Sequence, residues 1–432
     1  MRPDWERGLR GRLYALGRRA VPLSWRRALR RRFPVERLLG LRKPPTDLPR
    51  FPIEEAARPG RPDVLVLPVI AWTYRRQRPQ QLAEALARRG RRVFYGSLEG
   101  EGEPEEPAGV APGVVLLPIP GVRREDPADR RLGNASRERA LSGIEAARAR
   151  FGMRDGVVLV QSPFWTPLAL ALRTRFGWSV AYDCLDAHEA FDKNRPGVLA
   201  GPEREIAAAA DLVTATSEPL RRRLEESGAA ARLLPNACDF ALFERVPPPH
   251  PRAERLTVGY VGAVDEWLDL PLVAAVAARR PLWRFEMVGG VDDAAGPLPR
   301  GENLVFRGER PHAEMPEWRA RFDVEIIPFR LSALTHATDP VKLYEAAAAG
   351  RPVVATPMES LRSLAARGIV RLAGSAEDLE REIAAAAAAA ADEAPGLRAF
   401  AQENTWDRRA AALDEWLTGV GARGNVGVSR EP

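Results

Sequence analysis

The sequence predicts an α/β protein with two doubly wound parallel sheets. A chain of 432 residues with 45% hydrophobic content is too long for one ordinary core. From Val64 onward, short apolar segments alternate with helical ones, which is typical of parallel sheets with helical crossovers. The alternation restarts after the proline-rich segment VPPPHP at residues 246–251. We therefore expect two Rossmann-like domains, at residues 51–247 and 252–403, which face each other across a cleft.

The first predicted domain contains seven strands with helices between several of them. The strands are Val64–Leu67, Arg92–Tyr95, Val114–Leu117, Val157–Val160, Val180–Asp183, Leu212–Thr216 and Arg232–Leu234. The segment from Glu99 to Gly113 is acidic and rich in Gly and Pro, so it is predicted to be a solvent-exposed loop.

The second predicted domain repeats this organisation with six strands. The strands are Thr257–Val261, Phe285–Val288, Leu304–Arg307, Val324–Ile327, Val353–Ala355 and Val370–Leu372, and the helices are Pro271–Arg279, Met315–Arg321 and Pro340–Ala349. The alanine run Ala384–Ala391 predicts one long surface helix, because alanine is the best helix former. An amphipathic segment at residues 404–420 follows, and residues 421–432 are expected to be a flexible tail.

The positive charge of the chain is concentrated in its first 43 residues. They hold 14 Arg or Lys against three acids, a net +11, and because the whole chain is +7 the remainder carries −4. Trp5, Leu9, Leu13 and Leu16 recur at helical spacing, as do Trp25, Leu29 and Phe33. Residues 1–50 are therefore predicted to be a basic helical arm that binds an anionic membrane surface. The alternatives are a helical hairpin packed on the body or a partner, and a nucleic-acid contact, which the apolar faces disfavour.

The apolar runs, the cysteines and the possible metal ligands of the sequence indicate its compartment and its cofactor requirement. It has no apolar run of about 18 residues and no secretion-signal core, so we expect a cytoplasmic protein, peripheral on the inner face of the plasma membrane. Its two cysteines, Cys184 and Cys238, suggest reduced thiols. No constellation of metal ligands is evident, so neither a metal nor another cofactor is expected.

The segment from Leu334 to Thr356 has the chemistry of an anion site. Asp339 is predicted to be the N-cap of a helix that begins at Pro340 and stops at Gly350. Lys342 lies in its first turn, where the helix N-terminus already favours a phosphate. Glu345 falls on the same face and is suited to accept hydrogen bonds from ribose hydroxyls. The alternative is an ordinary amphipathic helix with a surface lysine and glutamate.

Four motifs together resemble the GT-B glycosyltransferases. They are WTYRRQRPQQLAEALARRGRRVFY at 72–95, PNACDF at 235–240, GYVGAVDEWLDL at 259–270 and DPVKLYEAAAAGRPVVAT at 339–356. The likeness covers roughly residues 61–420. It is specifically to the retaining group with a Glu-x7-Glu donor motif, in a bacterial subgroup with the pattern Asp-Pro-x-Lys-x-x-Glu. The resemblance implies that residues 404–420 form a helix that crosses back to the first domain.

The resemblance implies a donor site in the second domain and an acceptor site in the first. Glu345 matches the second glutamate of the motif, whereas Ala337 stands where the first would fall. Asp265, Glu266 and Asp269 stand near the position of the usual diphosphate-binding Arg and Lys, so donor binding is expected to depend on Lys342, the helix N-terminus and Arg330. The full set of expected donor-binding residues is Gly262, Arg330, Thr338, Asp339, Lys342, Leu343 and Glu345.

The first domain is expected to supply the groups that meet the sugar and the acceptor. By resemblance, Asp186 and His188 after the fifth predicted strand are the catalytic candidates, although a histidine beside acids is more often a packed residue. Arg76 and Arg78 are candidates for an anionic acceptor such as a lipid diphosphate. Their alternative is a solvated charge pair before a helix that begins at Pro79.

These expectations lead to one main functional hypothesis and two alternatives. The main hypothesis is a glycosyltransferase that moves a sugar from a nucleotide diphosphate sugar to a glycan or lipid-linked acceptor, with retention, in bacterial surface polysaccharide or glycolipid synthesis. The missing first glutamate favours a catalytically weak nucleotide- or glycan-binding assembly subunit instead. A nucleotide-sugar epimerase is the third possibility, and it would need neither the arm nor an acceptor.

Overall fold

The computed structural model describes residues 48–54, 60–99, 104–123, 131–190, 197–249 and 255–424. The described residues from Pro49 onward belong to one compact unit. The prediction for the basic arm falls almost entirely outside the described residues.

The first domain is built on an eight-stranded sheet. Its strands are β1 Asp63–Leu67, β2 Val93–Glu99, β3 Ala108–Ala111, β4 Val114–Arg123, β5 Gly156–Val160, β6 Ser179–Cys184, β7 Leu212–Ala215 and β8 Ala231–Leu233. Its helices are α1 Arg78–Arg88, α2 Asn134–Arg150, α3 Thr166–Phe176, α4 Ala200–Ala209 and α5 Glu218–Glu226. The strand order is β3-β4-β2-β1-β5-β6-β7-β8, and all neighbours are parallel except β3 and β4. The strand order reverses beside β1, which is where such sheets bind ligands.

The second domain is built on six parallel strands in the order β11-β10-β9-β12-β13-β14. The strands are β9 Thr257–Val261, β10 Arg284–Val288, β11 Leu304–Gly308, β12 Val324–Ile327, β13 Val353–Ala355 and β14 Arg371–Leu372. A short helix, α6 Phe240–Phe243, lies in the connection between the domains, and the helices that follow are α7 Leu270–Arg279, α8 Met315–Arg319, α9 Ala333–Ala337, α10 Val341–Ala348, α11 Arg362–Ala366, α12 Ala376–Glu403 and α13 Trp406–Gly424.

Burial on both faces explains why the strands read as continuous apolar runs. Every residue of β1, β5 and β6 is buried, because helices cover both sides of a parallel sheet. Each domain has its own hydrophobic core, one around Leu65 and Val158 and the other around Val258 and Ile326. The prediction of two doubly wound domains is confirmed.

The predicted loop at Glu99–Gly113 is wrong in part, because it contains strand β3. Ala108–Ala111 pairs antiparallel with β4, and Val110 and Ala111 are buried. The Phe51 N–H donates to the Gly109 carbonyl at 2.9 Å, and a Cβ at position 109 would lie only 2.2 Å from the Phe51 carbonyl oxygen. A short, glycine-containing edge strand of this kind has no periodicity of its own.

Helix α10 begins one residue later than predicted, with Pro340 rather than Asp339 as its N-cap. It ends as expected before Gly350, which has φ 68°. Helix α13 continues to Gly424, beyond the predicted end at residue 420.

Helix α13 packs on the first domain. The buried Arg91 donates to Asp414 at 2.6 Å and to Thr418 at 2.6 Å, and Arg88 donates to Asp407 at 2.8 Å. Among the described helices, none is both long and apolar enough to cross a membrane.

Candidate donor site

The carboxyl ends of the two sheets face each other. Ser217, which follows β7, donates its hydroxyl to the Ala337 carbonyl at 2.5 Å. Asn236, which follows β8, contacts Asp339 in the second domain. Ligands of open α/β sheets bind at these strand ends, so this boundary is the candidate site.

Lys342 lies at the start of α10 in an aromatic environment. Its Nζ is 4.3 Å from the centroid of the Tyr260 ring and 4.7 Å from that of Phe329, and it donates to the Tyr260 hydroxyl at 3.0 Å. Burial, followed by repulsion from Arg319, lowers the pKa of Lys342 to about 7. The amine is therefore ready to take a proton when an anion arrives beside it.

Gly262 immediately follows β9 and lies next to the amine of Lys342. Its φ is 143°, a value that L side chains rarely adopt, and a Cβ there would lie 2.5 Å from Lys342 Nζ. A side chain at this position would clash with the lysine, so glycine allows the amine to lie directly against the backbone after β9.

Glu345 is held in place by the side chains of Arg319 and His312. Arg319 donates to one carboxylate oxygen at 2.7 Å, and His312 Nε2 lies 3.1 Å from the other. Burial would raise the pKa of Glu345, but the hydrogen bond from His312 and the charge of Arg319 outweigh it, so this pKa lies below its ordinary value. Arg319 also pairs with Glu325, which completes a buried ionic network. Glu345 is thus kept ionised with its orientation fixed, as an acceptor of hydroxyl hydrogen bonds requires.

Three other expected donor-binding residues, Arg330, Thr338 and Leu343, differ in their exposure and in their contacts within the protein. Arg330 is exposed, and its Nε donates to the Leu268 carbonyl at 3.2 Å. The Thr338 hydroxyl bonds back to the Leu334 carbonyl at 2.9 Å. Leu343 is 0% exposed and packs its side chain in the core of the second domain, so its expected role in donor binding stays a prediction that could involve only its backbone. Its position on α10 turns it away from Lys342 and into the sheet.

Asp339 joins the two domains instead of capping α10. Its carboxylate accepts from the Asn236 N–H at 2.6 Å and from the Tyr344 hydroxyl at 3.0 Å. The Asn236 side chain in turn donates to the Asp339 carbonyl at 2.6 Å. The predicted N-cap role is wrong, because partners from elsewhere in the fold occupy the carboxylate.

Asp186 lies across the domain boundary from Asp339. Burial, together with repulsion from Asp339, raises the pKa of Asp186 to about 7, although Arg78 opposes the shift. A carboxyl group with such a pKa can exchange a proton near neutral pH.

His188, two residues after Asp186, is only 4% exposed. Burial lowers the pKa of His188 to about 4, so its imidazole is neutral at physiological pH. The expected contact between His188 and the sugar or the acceptor stays a prediction. The backbone N–H of His188 donates to the backbone carbonyl of Asp186 at 2.9 Å, so a tight turn links the two residues.

The two arginines expected to bind the acceptor are both engaged within the protein. Arg78 is 3% exposed and forms two hydrogen bonds, of 2.8 and 3.0 Å, with the buried Asp183. It also donates to the Pro235 carbonyl and Asn236, so its expected role in acceptor binding is wrong. Arg76 is partly exposed and pairs with both oxygens of Glu84 at 2.6 and 2.7 Å.

A likeness to known proteins covers both domains. Residues 255–393 match the family Glycosyl transferases group 1. Sucrose-phosphate synthase from Thermosynechococcus elongatus superimposes with a TM-score of 0.68 at 18% identity, over 84% of this chain and 100% of that one. HepE from Anabaena, crystallised with UDP, gives a TM-score of 0.57 at 15% identity, over 83% and 100% of the two chains. The fold is GT-B, and the family match lies within the second domain.

One curated relative also matches this GT-B chain in sequence. TuaH of Bacillus subtilis (strain 168), described as a teichuronic acid biosynthesis glycosyltransferase, is 27% identical over 211 residues. The match covers 44% of this chain and 53% of the relative, so the chain spans about half the length of that protein.

Sequence reasoning missed four residues of this GT-B site. Arg319 and His312 hold Glu345, Asn236 holds Asp339, and Arg75 pairs with Glu309 across the domain boundary at 3.0 Å. Asn236 stood within the motif PNACDF, and Arg75 stood beside Arg76 in the motif that opens the first domain. Arg319 and His312 offered no local signal, since each is distant in sequence from its partner.

Among the described residues, no group of three or more His, Cys, Asp or Glu is arranged to hold a metal ion. The expectation of a metal-independent enzyme stays a prediction. Cys184 and Cys238 are buried free thiols, and burial raises the pKa of Cys238 to about 12.

Proposed function

We propose that this protein transfers a sugar from a nucleotide diphosphate sugar to a glycan or lipid-linked acceptor, with retention of anomeric configuration. The observation that carries the proposal is the pairing of Lys342 and Glu345 on one helix at the carboxyl edge of the second sheet. One residue supplies a cation that lies against the backbone of Gly262, and the other supplies an oriented carboxylate. Together they suit the diphosphate and the ribose of one ligand.

The proposed chemistry requires stabilisation of a leaving diphosphate. Negative charge develops on that group as the glycosidic bond breaks, and a protonated Lys342 with the first N–H groups of α10 stabilises it. Asp186 of the first domain is close enough to Asp339 for their charges to interact, and it is suited to contact the sugar or the acceptor hydroxyl. No step in this scheme calls for a metal ion.

The proposed setting is the inner face of a plasma membrane, in surface polysaccharide or glycolipid synthesis. The +11 charge of residues 1–43 and their apolar spacing support it. TuaH is described as a teichuronic acid biosynthesis glycosyltransferase, and this description supports a role of the present chain in polysaccharide synthesis.

A ligand panel followed by a turnover assay tests the proposal. Thermal unfolding is measured with UDP, GDP, ADP and their sugar conjugates, because a ligand selective for the folded state raises its stability. The stabilising nucleotide sugar is then incubated with and without membrane lipid extract, and sugar incorporation is followed.

Each outcome of this assay separates the candidate functions. Transfer that depends on the extract supports the proposal. Conversion of the nucleotide sugar alone would indicate an epimerase, and binding without turnover would indicate an assembly subunit.

A further inference from the structure

We propose that Arg75, a residue of the first domain, is a second cationic ligand for the donor diphosphate, supplied across the domain boundary. The inference rests on the proposed donor site and adds to it a residue that contacts the phosphates. The segment after β9 contains the acids Asp265, Glu266 and Asp269 and no Lys or Arg. A second positive charge at the site would therefore come from the opposite domain.

Three glycines form a floor without side chains between the two cations. Gly262 immediately follows β9, and Gly289 and Gly290 immediately follow β10. A Cβ at position 289 would lie 1.8 Å from the Gly262 carbonyl oxygen, so the two strand ends approach as closely as their backbones allow. Backbone hydrogen bonds of 2.9 Å, from Gly262 to Val288 and from Val264 to Gly290, fix this approach. All three glycines are partly exposed, so a ligand can reach the floor.

The two cations lie over opposite ends of this glycine floor. A Cβ at Gly262 would lie 2.5 Å from Lys342 Nζ, and a Cβ at Gly290 would lie 2.6 Å from Arg75 Nη2. The absence of side chains at these two positions therefore lets each positive group lie directly against the backbone of the floor. A diphosphate fits such a surface, because it needs close approach to the backbone and has two charged groups to neutralise.

The positive charges of Arg75 and Lys342 act on each other. Burial is the largest cause of the lowered pKa of Lys342, and the positive charges of Arg319 and, to a smaller degree, Arg75 add to it. Glu345 and Glu325 act in the opposite direction on this pKa, but both of these carboxylates pair with Arg319. Two cations held together by the fold favour a ligand with at least two negative charges.

Glu309 is the group with which a phosphate would compete. It accepts from Arg75 at 3.0 Å, and the two side chains are 43% and 31% exposed. Ion pairs this exposed are weak, so an incoming phosphate can replace the carboxylate. The planar guanidinium of arginine suits bidentate phosphate contacts.

Arg222 provides a matched control. It also pairs with a glutamate of the second domain, Glu359, and both of these side chains are exposed to a similar degree. No glycine of the floor has Arg222 or Glu359 among its near neighbours. The substitution Arg222→Ala therefore removes one positive charge and one interdomain ion pair without touching the proposed site.

The test measures dissociation constants by calorimetric titration with UDP, GDP and ADP, each beside its monophosphate. For the diphosphate that binds, Arg75→Ala should weaken affinity about tenfold, as expected for loss of a charged hydrogen bond. The monophosphate should be affected less, and Arg222→Ala should change neither affinity. Glu309→Ala should strengthen diphosphate binding, and it should have no effect in the Arg75→Ala background.

The possible failures are distinguishable. If Lys342→Ala weakens diphosphate binding but Arg75→Ala matches Arg222→Ala, the role of Arg75 is overturned and the donor site stands. If the unsubstituted protein binds none of the three diphosphates, the proposed function fails and the role of Arg75 fails with it. Equal thermal unfolding of Arg75→Ala and Arg222→Ala would exclude misfolding as the cause of a difference.

Discussion

Donor binding should be coupled to protonation of Lys342, and pH is the perturbation that exposes this coupling. Burial against Tyr260 and Phe329 lowers the pKa of Lys342 to about 7, whereas an exposed lysine titrates near 10.4. Because a bound diphosphate favours the charged amine, the complex holds a proton that the free protein lacks above pH 7. Binding should therefore take up a proton and weaken as pH rises.

The magnitude follows from the fraction of Lys342 that is charged in the free protein. With a pKa of about 7, about one molecule in ten is protonated at pH 8 and about one in a hundred at pH 9. If the charged amine is required, the dissociation constant rises about tenfold between these pH values. An unperturbed lysine would produce almost no change over this range, and terminal phosphates, which titrate near 6, are already ionised.

The assay is calorimetric titration with the nucleoside diphosphate that binds, at pH 8.0, 8.5 and 9.0. Repeating each titration in two buffers with different ionisation enthalpies counts the protons, and close to one per ligand is expected at pH 8. Lys342→Met is the control and should give weak binding that does not depend on pH. A constant affinity up to pH 9 without proton uptake in the unsubstituted protein would refute the reasoning.

Four further outcomes are expected. Glu345→Gln should weaken nucleotide binding by roughly tenfold or more, since it loses charged hydrogen bonds to the ribose, and unchanged affinity in the same titration would contradict that contact. Asp186→Asn should lower kcat with little effect on donor affinity, and steady-state kinetics that match those of the unsubstituted protein would assign Asp186 a structural role. Arg78→Met should destabilise the protein by about 3–5 kcal/mol in urea unfolding, because it leaves Asp183 buried without its cation; retained stability would show that the pair contributes little. Deletion of residues 1–50 should release the protein from anionic vesicles in a flotation assay while nucleotide binding persists, and vesicle binding that survives the deletion would rule out the membrane role of the arm.

The sequence alone determined the architecture and the position of the donor helix. Apolar runs such as those of β1 and β5 predict strands buried on both faces, because only helix-covered parallel sheets can accommodate them. The proline and the glycine that flank α10 located it to within one residue. These signals are local, since each depends on the preferences of a few consecutive residues.

The tertiary structure decided which charged side chains are available to a ligand. Arg75 and Arg78 look alike in the sequence, yet one reaches the second domain and the other is buried against Asp183. His188 is covered by its surroundings, and Glu345 is held by Arg319 and His312 from distant parts of the chain. The availability and the pKa of a charge depend on burial and on neighbours that folding brings together, so no local pattern of residues could have revealed them.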